Sequence, residues 1–224
     1  MTGSDRRHDP TRPWYSWSLR LLPEAPGRWV DLGCGRGELL DLADGRPPGL
    51  ARPLGIGLDR SIADLRDASR GGRSCVAADL TRSLPFRDAS LDGACLVEVI
   101  EHIANAETLV AELARVVRPG GWLVVTTPNV VHLTYRLRTL TGHPPKQEGY
   151  HLRFFTRETL RRVFESNGFS VVDRASFGKQ ALLTKLARLA GRAHDQKVRY
   201  RVPAAFEGLL AQHFVWRLTR GPQA

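Results

Sequence analysis

Residues 28–44, RWVDLGCGRGELLDLAD, decide how the chain folds. RWVDL (28–32) is an apolar run of strand length, GCGRG (33–37) is a turn, and ELLDLAD (38–44) carries a helical pattern. A strand that enters a helix through a glycine turn is expected to present free backbone N–H groups at the helix start, where open α/β folds hold nucleotide-type ligands. The third glycine of a dinucleotide fingerprint would fall at position 38, which is Glu38. Asp31 is a second departure: a carboxylate two positions before the first glycine repels a pyrophosphate and attracts a cation such as an ammonium or a sulfonium.

The same alternation continues outward. Residues 53–58 read as a second strand, 61–69 as a helix capped by Ser61, 74–78 as a third strand, and 91–97 as a fourth whose apolar run suits burial on both faces. Asn105 can cap a helix with Leu109, Val110, Leu113, Val116 and Val117 at helical spacing, which Pro119-Gly120-Gly121 is expected to stop before a fifth strand at 122–127. Thr156 opens another helix with Leu160, Val163 and Phe164 on one side and Gly168 at a left-handed cap. Residues 169–173 and 214–218 read as the sixth and seventh strands, and no internal repeat is visible. The pattern predicts an α/β fold with a parallel sheet between two helix layers. Asp59 ends the second strand and Asp79 follows the third, so Asp31, Asp59 and Asp79 share the rim of the sheet where ligands bind, with Asp59 suited to accept two ribose hydroxyls.

A chain of 224 residues with 42% hydrophobic and 25% charged side chains is expected to form one domain. Its parts are an N-terminal segment with a short helix (1–27), the core (28–178), a basic helical insertion or lid (179–212) and the last strand and tail (213–224). Three cysteines, Cys34, Cys75 and Cys95, without CxxC spacing support neither a disulfide framework nor a zinc site. Residues 1–12 lack an apolar signal region and no run reaches the ~18 apolar residues of a membrane span, so a cytoplasmic protein is expected. The net charge of +10 is supplied almost wholly by arginine, with four lysines among 33 basic residues. From Lys179 onward nine basic residues face two acidic ones.

Five segments in order carry a family resemblance: VDLGCGRGEL (30–39), GIGLD (55–59), AADL (77–80), LPFRDASLDGACLVEVIEHI (84–103) and RVVRPGGWLVVTTPN (115–129). Together they resemble class I S-adenosylmethionine-dependent methyltransferases of the large bacterial small-molecule group, and HLRFFTRETLRRVFESNGF (151–169) is similar to the downstream segment of that group. The resemblance implies a three-layer Rossmann-like sandwich, a seven-stranded sheet of order 3-2-1-4-5-7-6 with strand 7 antiparallel, and S-adenosylmethionine as cofactor. The positions expected to hold it are Asp31, Gly33, Cys34, Gly35, Asp59, Arg60, Asp79, Leu80 and Glu98. Substrate identity is not implied, because the group acts on sugars, lipids, quinone precursors, natural products and RNA ends.

The chemistry is expected in Glu98-Val99-Ile100-Glu101-His102. If these residues start a helical turn, Glu98, Glu101 and His102 share one face at the rim. A hydroxyl nucleophile must lose its proton as the methyl arrives, and His102 is a suitable base. Alternatively Glu98, Glu101, His102 and the downstream His151 ligate a divalent metal. This arrangement resembles the metal site of small-RNA 3′-terminal ribose methyltransferases and is similar to that of ubiquinone-pathway O-methyltransferases. Catalytic roles are accordingly expected for His102, Glu101 and His151, and His132 and His143 are read as solvated loop histidines. The expected activity is O-methylation of a small molecule (sugar, lipid or secondary metabolite), with an RNA-modifying enzyme, metal-dependent at a 2′-hydroxyl, as the alternative.

Residues 130–150 and 179–211 are positioned to cover the site and set specificity. On a helical projection of 179–192, Leu182, Leu186, Leu189 and Ala190 share one face, and Lys185, Arg188 and Arg192 another. In an extended conformation Lys197, Arg199 and Arg201 gather on one side. This basic region suits an anionic membrane or a phosphorylated substrate. Nucleic acid is not expected, because stacking motifs of the RNA-binding kind are missing, and no stable protein partner is expected.

Overall fold

Strand β1 (Arg28–Leu32) is buried over four of its five residues and runs through the middle of the sheet. In this computed structural model, which describes residues 10–45, 54–70, 72–145, 151–179 and 199–222, it pairs in parallel with β2 (Leu54–Asp59) on one side and β4 (Leu91–Val97) on the other. Beyond β2 lies β3 (Cys75–Ala77), and beyond β4 lies β5 (Val117–Pro128), both again parallel. The last strand, β9 (His213–Arg220), runs antiparallel between β5 and β6 (Phe169–Arg174). This gives the expected order with strand 7 reversed. Two short strands not expected from the sequence, β7 (Phe177–Lys179) and β8 (Arg199–Arg201), extend the edge as a hairpin, and β7 also meets β9 at His213. Among the described residues the sheet therefore has nine strands rather than seven.

Alternating strand residues feed two cores, which is what a sheet covered on both faces requires. Val30, Leu32, Ala94, Leu96, Leu123 and Val125 pack against α4 (Ala106–Val116) and α6 (Arg157–Glu165). Trp29, Cys95, Val97, Trp122 and Val124 face α1 (Pro13–Leu19), α2 (Glu38–Asp44) and α3 (Ile62–Ala68). Gly93 has no side chain because a Cβ there would come within 2.1 Å of the Trp122 indole.

The helix starts follow capping chemistry. Ser61 accepts from the Asp64 N–H, Asn105 from Thr108, and Thr156 and Thr159 form a reciprocal capping box. One expected stop is corrected: α4 ends at Val116, and Pro119-Gly120-Gly121 lies inside β5, where Val117 already pairs with Leu91 before the register shifts. The ladder captures Val117 first, and the turn residues are absorbed as an irregularity between two paired stretches. Of the two expected lid segments, the first supplies α5 (Leu133–Leu140), and 199–212 supplies β8 and the short helix α7 (Glu207–Leu210). The basic helix expected over 179–192 lies beyond Lys179 outside the described residues, as does Lys197. Among the described residues no helix is long and apolar enough to cross a membrane.

Candidate active site

The glycine turn is built from left-handed backbone. Gly33, Gly35 and Gly37 have φ of +72°, +55° and +89°, and a Cβ on Gly33 would lie 2.7 Å from a Val99 methyl. Four N–H groups of the turn are bonded within the protein. Those of Gly33 and Cys34 donate to the Leu58 carbonyl, that of Gly35 to Asp59 Oδ2, and that of Gly37 to the Cys34 carbonyl. Cys34 contributes shape: its thiol is buried, and burial, then Asp31 and Asp59, push its pKa far up, so it stays protonated.

Acids line this end of the sheet. Asp31 is 4% exposed and Glu38 is 7% exposed. Burial, reinforced by the Glu38 and Asp59 carboxylates, pushes the Asp31 carboxyl well above the usual carboxylate range. Such a group ionises readily once a cation arrives, so the site fits the ammonium and sulfonium of S-adenosylmethionine. Asp59 is held by the Gly35 N–H (3.0 Å) and the Ser61 N–H (2.9 Å), which fix the carboxylate while leaving lone pairs for a ribose. Asp79 is exposed and bonded to the Thr81 N–H and hydroxyl, which draw its pKa down. Arg60 is exposed and Leu80 half-buried, both beside this rim.

At the end of β4 the expected helical face does not form. Glu98 has φ of +56°, outside the helical region, and the 3₁₀ turn that follows spans Ile100–His102. Glu98 Oε1 instead accepts from the Thr126 hydroxyl (2.8 Å), and its Oε2 lies 3.2 Å from His213 Nε2. Glu101, His102 and His151 do come together, each with a ligand atom within 4.8 Å of the others. Of the four residues expected as metal ligands, three gather, while Glu98 is turned to the β9 side. Glu101 is buried and accepts from the Thr127 hydroxyl at 3.1 Å. Its carbonyl accepts the N–H groups of Leu152 and Arg153, which pins the loop carrying His151 against the turn carrying His102. The Arg153 guanidinium grips both oxygens of Glu107 on α4. The His102 and His151 rings meet edge to face at 5.0 Å.

Beside the trio is a cavity bordered by Glu101, His151, His213, Tyr135 and Phe154. Three of these residues, Tyr135, His151 and Phe154, come from the segment between β5 and α6, as a cover over the sheet would require. Several site residues went unread in the sequence. His213 precedes the apolar run of the last strand, and because that strand is antiparallel its first residue faces Pro128 at the carboxyl end of β5. That topology was the available signal. Tyr15 and Trp14 of α1 are others: Trp14 lies 5.3 Å from the His213 ring, and Tyr15 is close enough to Glu38, Asp31 and Glu98 that burial and these acids push its phenol pKa up. His132 is not solvated. It is buried and its Nδ1 accepts from the Thr134 N–H, capping α5, while His143 is exposed as expected.

A left-handed glycine turn, buried acids at the ends of β1 and β2, and a reversed strand beside β5 define a class I nucleoside-cofactor site made for a positively charged ligand. A profile of the family described as "Methyltransferase domain" matches residues 6–174. The chain is 33% identical over 192 residues to a protein of Mycolicibacterium smegmatis named as a probable S-adenosylmethionine-dependent methyltransferase, covering 83% of this chain and 69% of that one. It is 29% identical over 158 residues to the human mitochondrial ubiquinone biosynthesis O-methyltransferase, with 63% of this chain matched but 41% of the human protein. The fold is similar to that of an S-adenosylmethionine-dependent methyltransferase from Mesorhizobium loti, with a TM-score of 0.64, 18% identity, and 95% and 100% of the two chains covered. The chain belongs to the methyltransferase-domain family and is an S-adenosylmethionine-dependent methyltransferase.

Proposed function

We propose that the protein methylates a hydroxyl of a small molecule, a sugar, lipid or secondary metabolite, seated in the cavity beside Glu101, His151, Tyr135 and Phe154. The observation that carries this reading is the gathering of Glu101, His102 and His151 within 4.8 Å at the rim. Two imidazoles and a carboxylate suit a divalent first-row cation, which when bound would lower the pKa of a coordinated hydroxyl. The name of the human relative supports oxygen as the methylated atom.

The chain's own residues supply the rest. Thr127 orients the Glu101 carboxylate, and the Leu152 and Arg153 N–H groups hold the two histidines together before any substrate arrives. Tyr135 and Phe154 give the cavity aromatic walls that keep water from the reacting oxygen. Asp31, Glu38 and Asp59 fix the cofactor by charge and hydrogen bonding. As the oxygen forms its bond to the methyl carbon, the carbon–sulfur bond breaks, and the hydroxyl proton passes to water where a cation occupies the trio, or to His102, which is exposed to water, where the imidazole works as an unaided base.

The test is transfer of a labelled methyl from S-adenosylmethionine to a panel of phenols, vicinal diols and sugars. His102→Ala is expected to lower turnover by roughly 10²- to 10⁴-fold with unchanged affinity for S-adenosylhomocysteine. EDTA should abolish turnover until a divalent cation is restored. If His102→Ala falls by this factor while EDTA has no effect, His102 works as an unaided base; full activity of the variant would contradict both forms.

A further inference from the structure

Helix α5 buries none of its residues. Its leucines nevertheless recur at i, i+4 and i+7: Leu133, Leu137 and Leu140 are 37%, 53% and 82% exposed. At ~100° per residue they fall within about 60° of arc, a narrow apolar stripe. Tyr135 lies on roughly the opposite side of the helix and borders the cavity, so the stripe faces away from the protein. Phe154, on the same cavity, and Leu152 are also exposed. Scattered exposed leucines are ordinary, but a periodic set beside the mouth of a site marks a surface that meets something.

Charge identifies what it meets. The eight residues of α5 contain two arginines, Arg136 and Arg138, and no acid. Both are exposed and donate to backbone carbonyls, of Val131 and Pro144, and among the described residues neither is paired with a carboxylate. A second copy docking symmetrically would bring the same arginines together, which is unfavourable. This chain's own segment 180–198 carries Lys185, Arg188, Arg192 and Lys197 with Asp195 as its sole acid, so it offers these arginines no excess of negative charge. A surface with an apolar interior and a negative skin satisfies both leucines and arginines.

We propose that α5, with Phe154, is an interfacial anchor that seats the mouth of the cavity on an anionic lipid bilayer. The helix is preformed and held by the His132 cap, so docking carries no folding cost. Delivery of a hydroxylated substrate with an apolar tail from that bilayer rests on the O-methylation reading; the docking itself rests on the surface alone.

Co-sedimentation with phosphatidylcholine vesicles containing about a quarter phosphatidylglycerol tests it. The wild type should bind these vesicles at least several-fold better than pure phosphatidylcholine, and less well as salt is raised. Leu137→Asp/Leu140→Asp and Arg136→Glu/Arg138→Glu should each lower binding about tenfold or more, while thermal stability and affinity for S-adenosylhomocysteine stay at wild-type values. Absence of anionic-vesicle binding, or binding undiminished in the leucine variant, overturns the proposal. So does a loss of thermal stability in the leucine variant, which would mean that the stripe is packed within the chain. Light scattering that reports a wild-type dimer abolished by the leucine pair would assign the stripe to a second copy instead. Methyl transfer to soluble acceptors is unaffected by these outcomes, so the docking and the O-methylation readings can fail separately.

Discussion

His213 Nε2 lies 3.2 Å from Glu98 Oε2, joining the first residue of β9 to the residue that follows β4. Glu98 reaches this position through a left-handed backbone, φ +56°. Its N–H points at Thr126, 2.9 Å from the hydroxyl and 3.2 Å from the carbonyl, and the same hydroxyl donates to Glu98 Oε1. The conformation costs an L-residue about 1–2 kcal/mol, here offset by side-chain partners.

The usual ranking of small residues should therefore invert at this site. Glu98→Ala and Glu98→Gly both remove the contacts to Thr126 and His213, but glycine also relieves the backbone. Glu98→Gly should be more stable than Glu98→Ala by about 1 kcal/mol in urea unfolding. Equal stability, or a more stable alanine variant, would mean that the left-handed conformation is not held.

Burial of Asp31 beside Glu38 and Asp59 carries a cost to stability. Its folded pKa is raised above the unfolded value, so the folded state holds the extra proton. Stability is therefore lost as pH rises from the unfolded value of about 3.9 through the folded one. Asp31→Asn should raise the melting temperature of the free protein at neutral pH and flatten this slope. Cofactor binding has the opposite sign: an ammonium favours the ionised carboxyl, so affinity for S-adenosylhomocysteine should rise with pH over the same window and be strongly weakened by Asp31→Asn. Calorimetry showing proton uptake on binding, or unchanged affinity in the variant, would contradict this.

Glu207 ties the segment after β8 to the sheet. It is fully buried; Oε1 accepts from Trp216 Nε1 (2.7 Å) and from the Ser176 hydroxyl, while Oε2 lies 3.5 Å from Arg174. Glu207→Ala would leave buried donors without an acceptor and should cost about 2–4 kcal/mol in chemical denaturation. Glu207→Gln, which keeps one carbonyl oxygen, should cost less than half as much. A loss under about 1 kcal/mol for the alanine variant would show that these donors find water instead.

The sequence was most informative where the main chain alone sets the structure. The strand runs at 28–32 and 91–97 and the caps Ser61, Asn105 and Thr156 were legible, because each depends on local pattern, whereas the order of the sheet followed from the family resemblance. The rim was legible in composition but not in detail. Helical spacing grouped Glu98 with Glu101 and His102, but a single left-handed residue turned it away, and nothing local in Val97-Glu98-Val99 signals that. His132 looked like a loop histidine and is a buried cap, since burial there depends on how α5 leaves β5. His213 and Tyr15 enter the site through tertiary approach of β9 and α1, which periodicity does not report.

The most direct measurement of the central claim is calorimetric titration of Mn²⁺ into the protein saturated with S-adenosylhomocysteine. The wild type should bind one cation per chain. Glu101→Gln, His102→Ala and His151→Ala should each weaken binding by roughly tenfold or more, while Glu98→Gln, altered at a carboxylate engaged with Thr126 and His213, should bind as the wild type does. No saturable site in the wild type, or a site abolished by Glu98→Gln and indifferent to His151→Ala, would contradict the trio as the chemical centre.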